Sequence, residues 1–213
     1  CAGLLMLEPL RFEPLWRACE AGRRKAKDLA GRRLRVDVRC KAVSDFQGSG
    51  TLRAHSDTFR STMSAEVAWG LGLNTTATAV QVTTLDGELL PGHAGGVDIL
   101  KSDTQGHELA VVRGARALLE GGGVGFLFLE FDPWLLRHSG ASAVELLSEL
   151  HCLGYSCFVV PAKPGGRFGV RTRTGAKYWS DAICAPHGRV AASLGACVAC
   201  SDVSDGDWYV AWA

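Results

Sequence analysis

The sequence contains no apolar run approaching the ~20 residues that a membrane-spanning helix needs, so no span is predicted in its 213 residues. It has almost no excess of charge: 23 basic against 22 acidic side chains leave +1, which gives no electrostatic footprint for nucleic acid. It lacks internal repeats and long low-complexity tracts, and at 47% hydrophobic and 21% charged residues it lacks the composition of a disordered chain. The opening CAGLLMLEPL has no basic leader and is too short for a signal peptide, so it reads as a strand. Because the first residue is Cys1 rather than methionine, something upstream is expected to have been removed.

What is present is a globular chain long enough for one domain with a sizeable core over residues 1–213. A chain of this size does not need disulfide staples. Its eight cysteines (Cys1, Cys19, Cys40, Cys152, Cys157, Cys184, Cys197 and Cys200) are therefore read as free thiols in a reducing, cytoplasmic compartment, several packed as small hydrophobes.

Hydrophobic periodicity alternates between strand and helix. Leu4 to Leu7 is an apolar strand stopped at Glu8-Pro9, and Phe12, Leu15, Trp16 and Cys19 then form one stripe of a helix that ends at Gly22 or, at the latest, Gly31. A strand follows at Arg35 to Cys40, leading to Ala42-Val43-Ser44-Asp45 and the turn residues Gln47 to Gly50. Residues 55–77 read as a loop or lid with a short helix around Ala65 to Leu73. Further strands are predicted at Val80 to Thr83, Val97 to Asp103 and Gly125 to Leu129, the last closing on Glu130, with a helix over 107–120 between the latter two. Ser142 and Glu145 form a capping box for a helix from Ala143 that stops at Gly154, and Tyr155 to Val160 is the next strand. A basic hairpin loop with Lys163, Arg167, Arg171, Arg173 and Lys177, read as solvated, leads to strands at Tyr178 to Cys184 and Trp208 to Trp212.

This alternation predicts an α/β open sheet that holds ligands outside the carboxyl ends of its strands, where Glu8, Asp45, Asp103 and Glu130 lie. An acid placed like Glu8 can accept hydrogen bonds from both hydroxyls of a ribose, or simply cap the following helix. Asp103 and Glu108 have the same two readings, a site residue or a helix-start acid. Lys101 and Glu130, charges at the ends of neighbouring apolar strands, are predicted to pair.

The stretch VDILKSDTQGHELAVVRGARALLEGGGVGFLFLE is more specific. Its order of Lys101, Asp103, Gly106 with Glu108, Gly114 with Ala115, and Glu130 resembles the core of the FkbM methyltransferase family. LLMLEPLRFEPLWRAC, KAVSDFQGSGTL and VQVTTLDGELL are similar to that family's strand-Glu-Pro-helix unit, its Ser-Asp turn and its Thr-Leu-Asp strand, so the resemblance covers about residues 4–160. It implies a class I methyltransferase fold, Rossmann-like and mostly parallel with an antiparallel strand near the C-terminus. It also implies S-adenosylmethionine as methyl donor and a hydroxyl of a sugar or small natural product as acceptor.

Carried over by residue, the resemblance implies Glu8 at the ribose, Ser44 and Asp45 at the adenine edge, and Asp103 beside the transferring methyl. Gln105 and His107 lie at the mouth of the next helix, and Glu108 and Glu130 line the pocket. If a base acts, Asp103 or His107 is the expected one, because a hydroxyl must lose its proton to become a strong nucleophile.

Nothing before Glu8 supplies the Asp-x-Gly-x-x-x-Gly loop with which the family opens, so the first strand is expected to be missing and the chain to be a fragment. That departure keeps a non-catalytic scaffold reading open. A nicotinamide-dependent oxidoreductase is the third, since Glu8 serves a dinucleotide ribose equally well. Cys184-x-x-His187 with Cys197-x-x-Cys200 has the ligand types of a structural zinc site, against which stands the reading of buried thiols; no metal is expected. His55, His93, His138 and His151 are assigned no function.

Overall fold

A computed structural model of the chain describes residues 10–30, 36–56, 60–90, 96–160 and 180–187. The expected strand at Leu4 to Leu7, Glu8, the basic hairpin, Cys197, Cys200 and the strand at Trp208 to Trp212 lie outside the described residues. The fold is mixed α/β with open sheets and, among the described residues, no barrel.

The N-terminal part differs from the expectation. Leu10–Phe12 form a strand, β1, and helix α1 runs over Trp16–Ala30. Phe12 and Leu15 therefore stand outside the helix. The residue before a proline is driven towards extended backbone, and Pro14 does this to Glu13, so the helix starts only after it. Trp16 is left 64% exposed, not on a buried stripe. The helix continues through Gly22, which comes close to Val38 of the parallel strand β2, Asp37–Arg39.

Strand β3 (Ala42–Val43) pairs in parallel with β5 (Thr75–Thr83), which also pairs antiparallel with β4 (Gly48–His55) along its length. The expected turn at 47–50 thus opens a long hairpin, which takes from the expected loop at 55–77 only His55 and Thr75 to Ala77. The β-branched run Thr75, Thr76, Thr78, Val80, Val82, Thr83 suits a half-buried strand better than a loop. The short helix predicted between its arms is present as α2, Ala65–Gly70, capped by Ser64, whose hydroxyl accepts from Val67 N.

After α3 (Leu85–Leu89) comes the sheet that carries the core, in the order β6-β7-β9-β8, from Val97–Ser102, Val124–Phe131, Ser180–Pro186 and Tyr155–Val160. β6 and β7 are parallel, and β9 runs antiparallel to both its neighbours, as expected of the C-terminal strand. Leu127, Leu129, Leu136, Leu146 and Leu150 are buried to within 1% between this sheet and its helices. Burial of one such side chain contributes roughly 1.5–3 kcal/mol. The hydroxyl of buried Tyr155 donates to Val124 O at 2.8 Å and accepts from Val124 N at 3.3 Å, so the start of β8 is tied to the start of β7 with no polar atom stranded.

The helix expected over 107–120 is two helices, α4 (Glu108–Arg113) and α5 (Arg116–Glu120), broken at Gly114-Ala115. The break has a physical cause. A Cβ at position 114 would collide with the backbone carbonyl of Ser44, and the first free N–H groups of α5, those of Ala117 and Leu118, are both capped at 2.9 Å by Asp86 of α3. Helix α6 (Pro133–His138) starts at an unpredicted cap, Asp132, which accepts from Trp134 N and Leu135 N at 2.8 and 3.2 Å. In α7 (Ala143–Cys152) Ser142 accepts from Glu145 N as predicted, but the Glu145 carboxylate turns outward to Arg113.

Four of the cysteines are not free thiols. Cys19 joins Cys40, fastening α1 beside β2, and Cys157 joins its direct cross-strand partner Cys184. Only Cys152 is free and exposed among the described residues. With its sulfur in a disulfide, Cys184 is no zinc thiolate. His187 beside it is engaged with Ser156 Oγ at 2.8 Å, and no metal-binding group of His, Cys, Asp and Glu occurs among the described residues. No described helix is long and apolar enough to cross a membrane.

Candidate active site

The ends of β3, β6 and β7 meet at one loop, Asp103 to His107, which leads into α4. Its conformation is fixed at two points. Gly106 has φ +94°, and a Cβ there would come within 2.6 Å of Leu135 O, so only glycine fits. Gln105 has φ 53° although it is not glycine. That backbone costs roughly 1–2 kcal/mol and persists where surrounding contacts impose it. Here Gln105 O accepts from the buried Thr62 Oγ1 at 3.1 Å, which ties the loop to the segment before α2. Ser64, two residues on, donates to His138 O of α6 at 3.0 Å.

The constraint on Gln105 aims its side-chain amide between two strand ends. Nε2 donates to both Glu130 oxygens at 3.0 and 2.8 Å, and to Asp103 Oδ1 at 3.3 Å. Register explains the meeting, because Ser102 faces Leu129 across the parallel pair and the next residues along are Asp103 and Glu130. The predicted Lys101–Glu130 pair does not form. Lys101 lies beside Phe128, and its ammonium reaches along its own strand to Asp103 at 3.2 Å, exposed to water.

Glu108 is completely buried. Its Oε1 accepts from Thr104 N and Thr104 Oγ1, both at 2.8 Å, folding the loop back on the helix start, while Oε2 has no hydrogen-bond partner among the described residues. Burial pushes the Glu108 carboxyl up to about 7, against the hydrogen bonds from the loop. Glu130 is pushed up to about 8, first by burial and then by the charges of Glu108, Asp103 and Asp132. Two carboxyl groups beside strand ends are thus partly protonated near neutral pH.

His107 belongs to a different corner. Its Nε2 lies 2.9 Å from Ser44 Oγ, and Ser44 Oγ donates to Asp45 Oδ1 at 3.1 Å. Since the serine has one proton and spends it on Asp45, the imidazole is the donor to Ser44. Burial holds the imidazole below its ordinary pKa against the opposing pull of Asp45. Ser44 is itself fully buried, so it positions Asp45 without an open face of its own. Asp45 and Phe46, both exposed, form the outer surface of this corner.

The structure therefore brings together Asp103, Gln105, Glu108 and Glu130, and separately Ser44, Asp45 and His107, the loop from Asp103 to Glu108 linking the two groups. Thr62 and Asp132 were missed from the sequence. Asp132-Pro133 does carry a readable signal, a cap residue followed by proline in the first turn; Thr62 carries none.

Residues 10–157 match the methyltransferase FkbM domain family. The chain is also similar to the crystal structure of methyltransferase FkbM from Methylobacillus flagellatus, with 13% identity and a TM-score of 0.48 over 82% of this chain and 36% of that one. The chain thus spans about a third of that protein's length. No curated protein matches it.

Proposed function

The chain belongs to the FkbM methyltransferase family, and from that premise we propose that it transfers the methyl group of S-adenosylmethionine to a hydroxyl oxygen of a sugar or small natural product, as a single domain over residues 1–213. The observation that carries this reading is the one rigid loop that serves both corners. Asp103 and Gln105 stand at its start, and His107 at its end holds Ser44 and hence Asp45.

The residues fit such a donor. Asp45 offers a carboxylate to an exocyclic amino group, and the exposed ring of Phe46 beside it offers an aromatic face. Glu8 is assigned to the ribose hydroxyls. Asp103 is assigned to the side of the transferring methyl, and Gln105 and Glu130 to the acceptor pocket, while Glu108, expected there from the sequence, is wholly buried and instead holds the loop through Thr104. His107 and Ser44 act as braces in this assignment, not as contacts. When bound, the donor supplies a sulfonium methyl with a good leaving group. The protein's main task is alignment, which in favourable cases gives roughly 7–11 kcal/mol of barrier reduction.

The test is a thermal melt with saturating S-adenosylhomocysteine and, separately, NAD, followed by transfer of label from methyl-tritiated S-adenosylmethionine to a pool of neutral monosaccharides. A ligand at a hundred times its dissociation constant stabilises by roughly 2.7 kcal/mol. An upward shift with S-adenosylhomocysteine alone supports the reading. A cooperative melt that neither ligand moves favours a scaffold, and a shift with NAD alone favours the oxidoreductase.

A further inference from the structure

We infer that Glu130 is the group that takes the proton of the acceptor hydroxyl, with Gln105 as the residue that positions it; this rests on the methyl-transfer reading above. The two residues first expected in that role are otherwise engaged. His107 Nε2 is used on Ser44 inside the fold. Asp103 is ion-paired with Lys101 and also accepts from Gln105.

Glu130 is placed differently. It stands at the carboxyl end of β7, and its two oxygens share a single donor nitrogen, that of Gln105, so each oxygen retains lone-pair capacity for an incoming hydroxyl. Among the described residues, the charged groups that act on it or stand opposite it are Asp103 from the loop after β6, Glu108 from α4, Asp132 at the start of α6 and Asp181 directly opposite on β9. These four are acids, and Lys101 is bonded to Asp103.

Glu108, wholly buried and close enough for its charge to act on Glu130, stands beside it as a second acid within the fold. The titration of Glu130 at about 8 agrees with the geometry, since a base works best when its pKa lies near the working pH.

The step balances within the site. The acceptor O–H bond breaks and its proton goes to a Glu130 oxygen. The acceptor oxygen forms a bond to the methyl carbon as the carbon–sulfur bond breaks, and that electron pair leaves with the sulfur, turning the sulfonium into a neutral thioether. Glu130 then returns its proton to water. The acids around Glu130 disfavour an anionic acceptor, in keeping with a neutral hydroxyl compound.

The experiment uses the full chain. The carboxyl of Glu130 is titrated by carbon-13 NMR of labelled glutamate, its signal identified by its loss in Glu130→Gln. Wild type, Glu130→Gln and Gln105→Leu are then assayed for methyl transfer to neutral monosaccharides across the neutral pH range. The expected midpoint is about 8, moving further up in Gln105→Leu. Glu130→Gln is expected to bind S-adenosylhomocysteine as wild type does, yet lose roughly 10²–10⁴-fold in kcat together with the rise of rate with pH. A midpoint in the ordinary carboxylate range overturns the inference whatever the activity. Transfer by Glu130→Gln at the wild-type rate and pH profile overturns this inference alone, whereas a wild type that neither binds S-adenosylhomocysteine nor transfers methyl overturns the methyl-transfer reading and this one with it.

Discussion

Gly114 presses so closely on the backbone carbonyl of Ser44 that position 114 has no room for a Cβ. Two segments far apart in sequence, the end of β3 and the junction of α4 and α5, are in contact through one missing methyl group. Gly114→Ala must displace backbone, not a flexible side chain, and overpacking of this kind costs typically 1–3 kcal/mol. The expected result is a lower denaturant midpoint and weaker S-adenosylhomocysteine binding, because Ser44 carries Asp45. Unchanged values of both would show that the contact is not tight in solution.

The buried acids set the pH dependence of stability. Glu108 and Glu130 rise from 4.5 to about 7 and about 8 on folding. The folded state then binds more protons than the unfolded state over that interval, so stability falls as pH rises from about 4.5 to about 8. Glu88 has the opposite sign. Burial pushes it up, but hydrogen bonds from Lys41, Thr83 and Arg39 hold it down at about 2, so its contribution is present above 4.5 and is lost as pH falls towards 2. The melting temperature is expected to peak near pH 5. Glu130→Gln and Glu108→Gln should flatten the alkaline side and Glu88→Gln the acid side; a profile insensitive to all three would refute the assignment.

The Cys19–Cys40 disulfide closes a loop of 21 residues in sequence, which by chain entropy corresponds to roughly 3 kcal/mol. A strong thiol reductant, or the Cys19→Ser and Cys40→Ser double variant, is expected to lower the urea midpoint accordingly. Equal midpoints for oxidised and reduced protein would mean that the two thiols do not bond.

Asp86 caps α5 through two N–H groups, so Asp86→Ala is expected to destabilise by about 1 kcal/mol while leaving the Glu130 titration in place. An Asp86→Asn variant that restores part of the loss would confirm capping. Equal stability of Asp86→Ala and wild type would mean that water serves those groups as well.

Where local chemistry was decisive, the sequence could be read directly. The cap at Ser142, the stop at Gly154 with φ +88° and the strand Tyr155–Val160 depend on neighbours within a few residues, and all three are in the structure as predicted. The alternation of apolar runs in the same way dictated an α/β fold with open sheets, and the residue order from Lys101 to Glu130 dictated the family.

Pairings across the chain were decided only in three dimensions. Lys101 and Glu130 sit on adjacent strands, as reading the strand ends predicted, but side-chain reach gave Lys101 to Asp103 and left Glu130 to Gln105. No periodicity encodes which of several nearby partners a long side chain selects, or that Ser44 will meet His107 across 63 positions. The break at Gly114 was equally invisible, because a helical pattern says nothing about a carbonyl arriving from another element. The sequence determined the elements and the residue types at their ends. The tertiary structure determined which of those ends share a proton, a bond or a buried charge, since these depend on distances of a few ångströms between residues that sequence order keeps far apart.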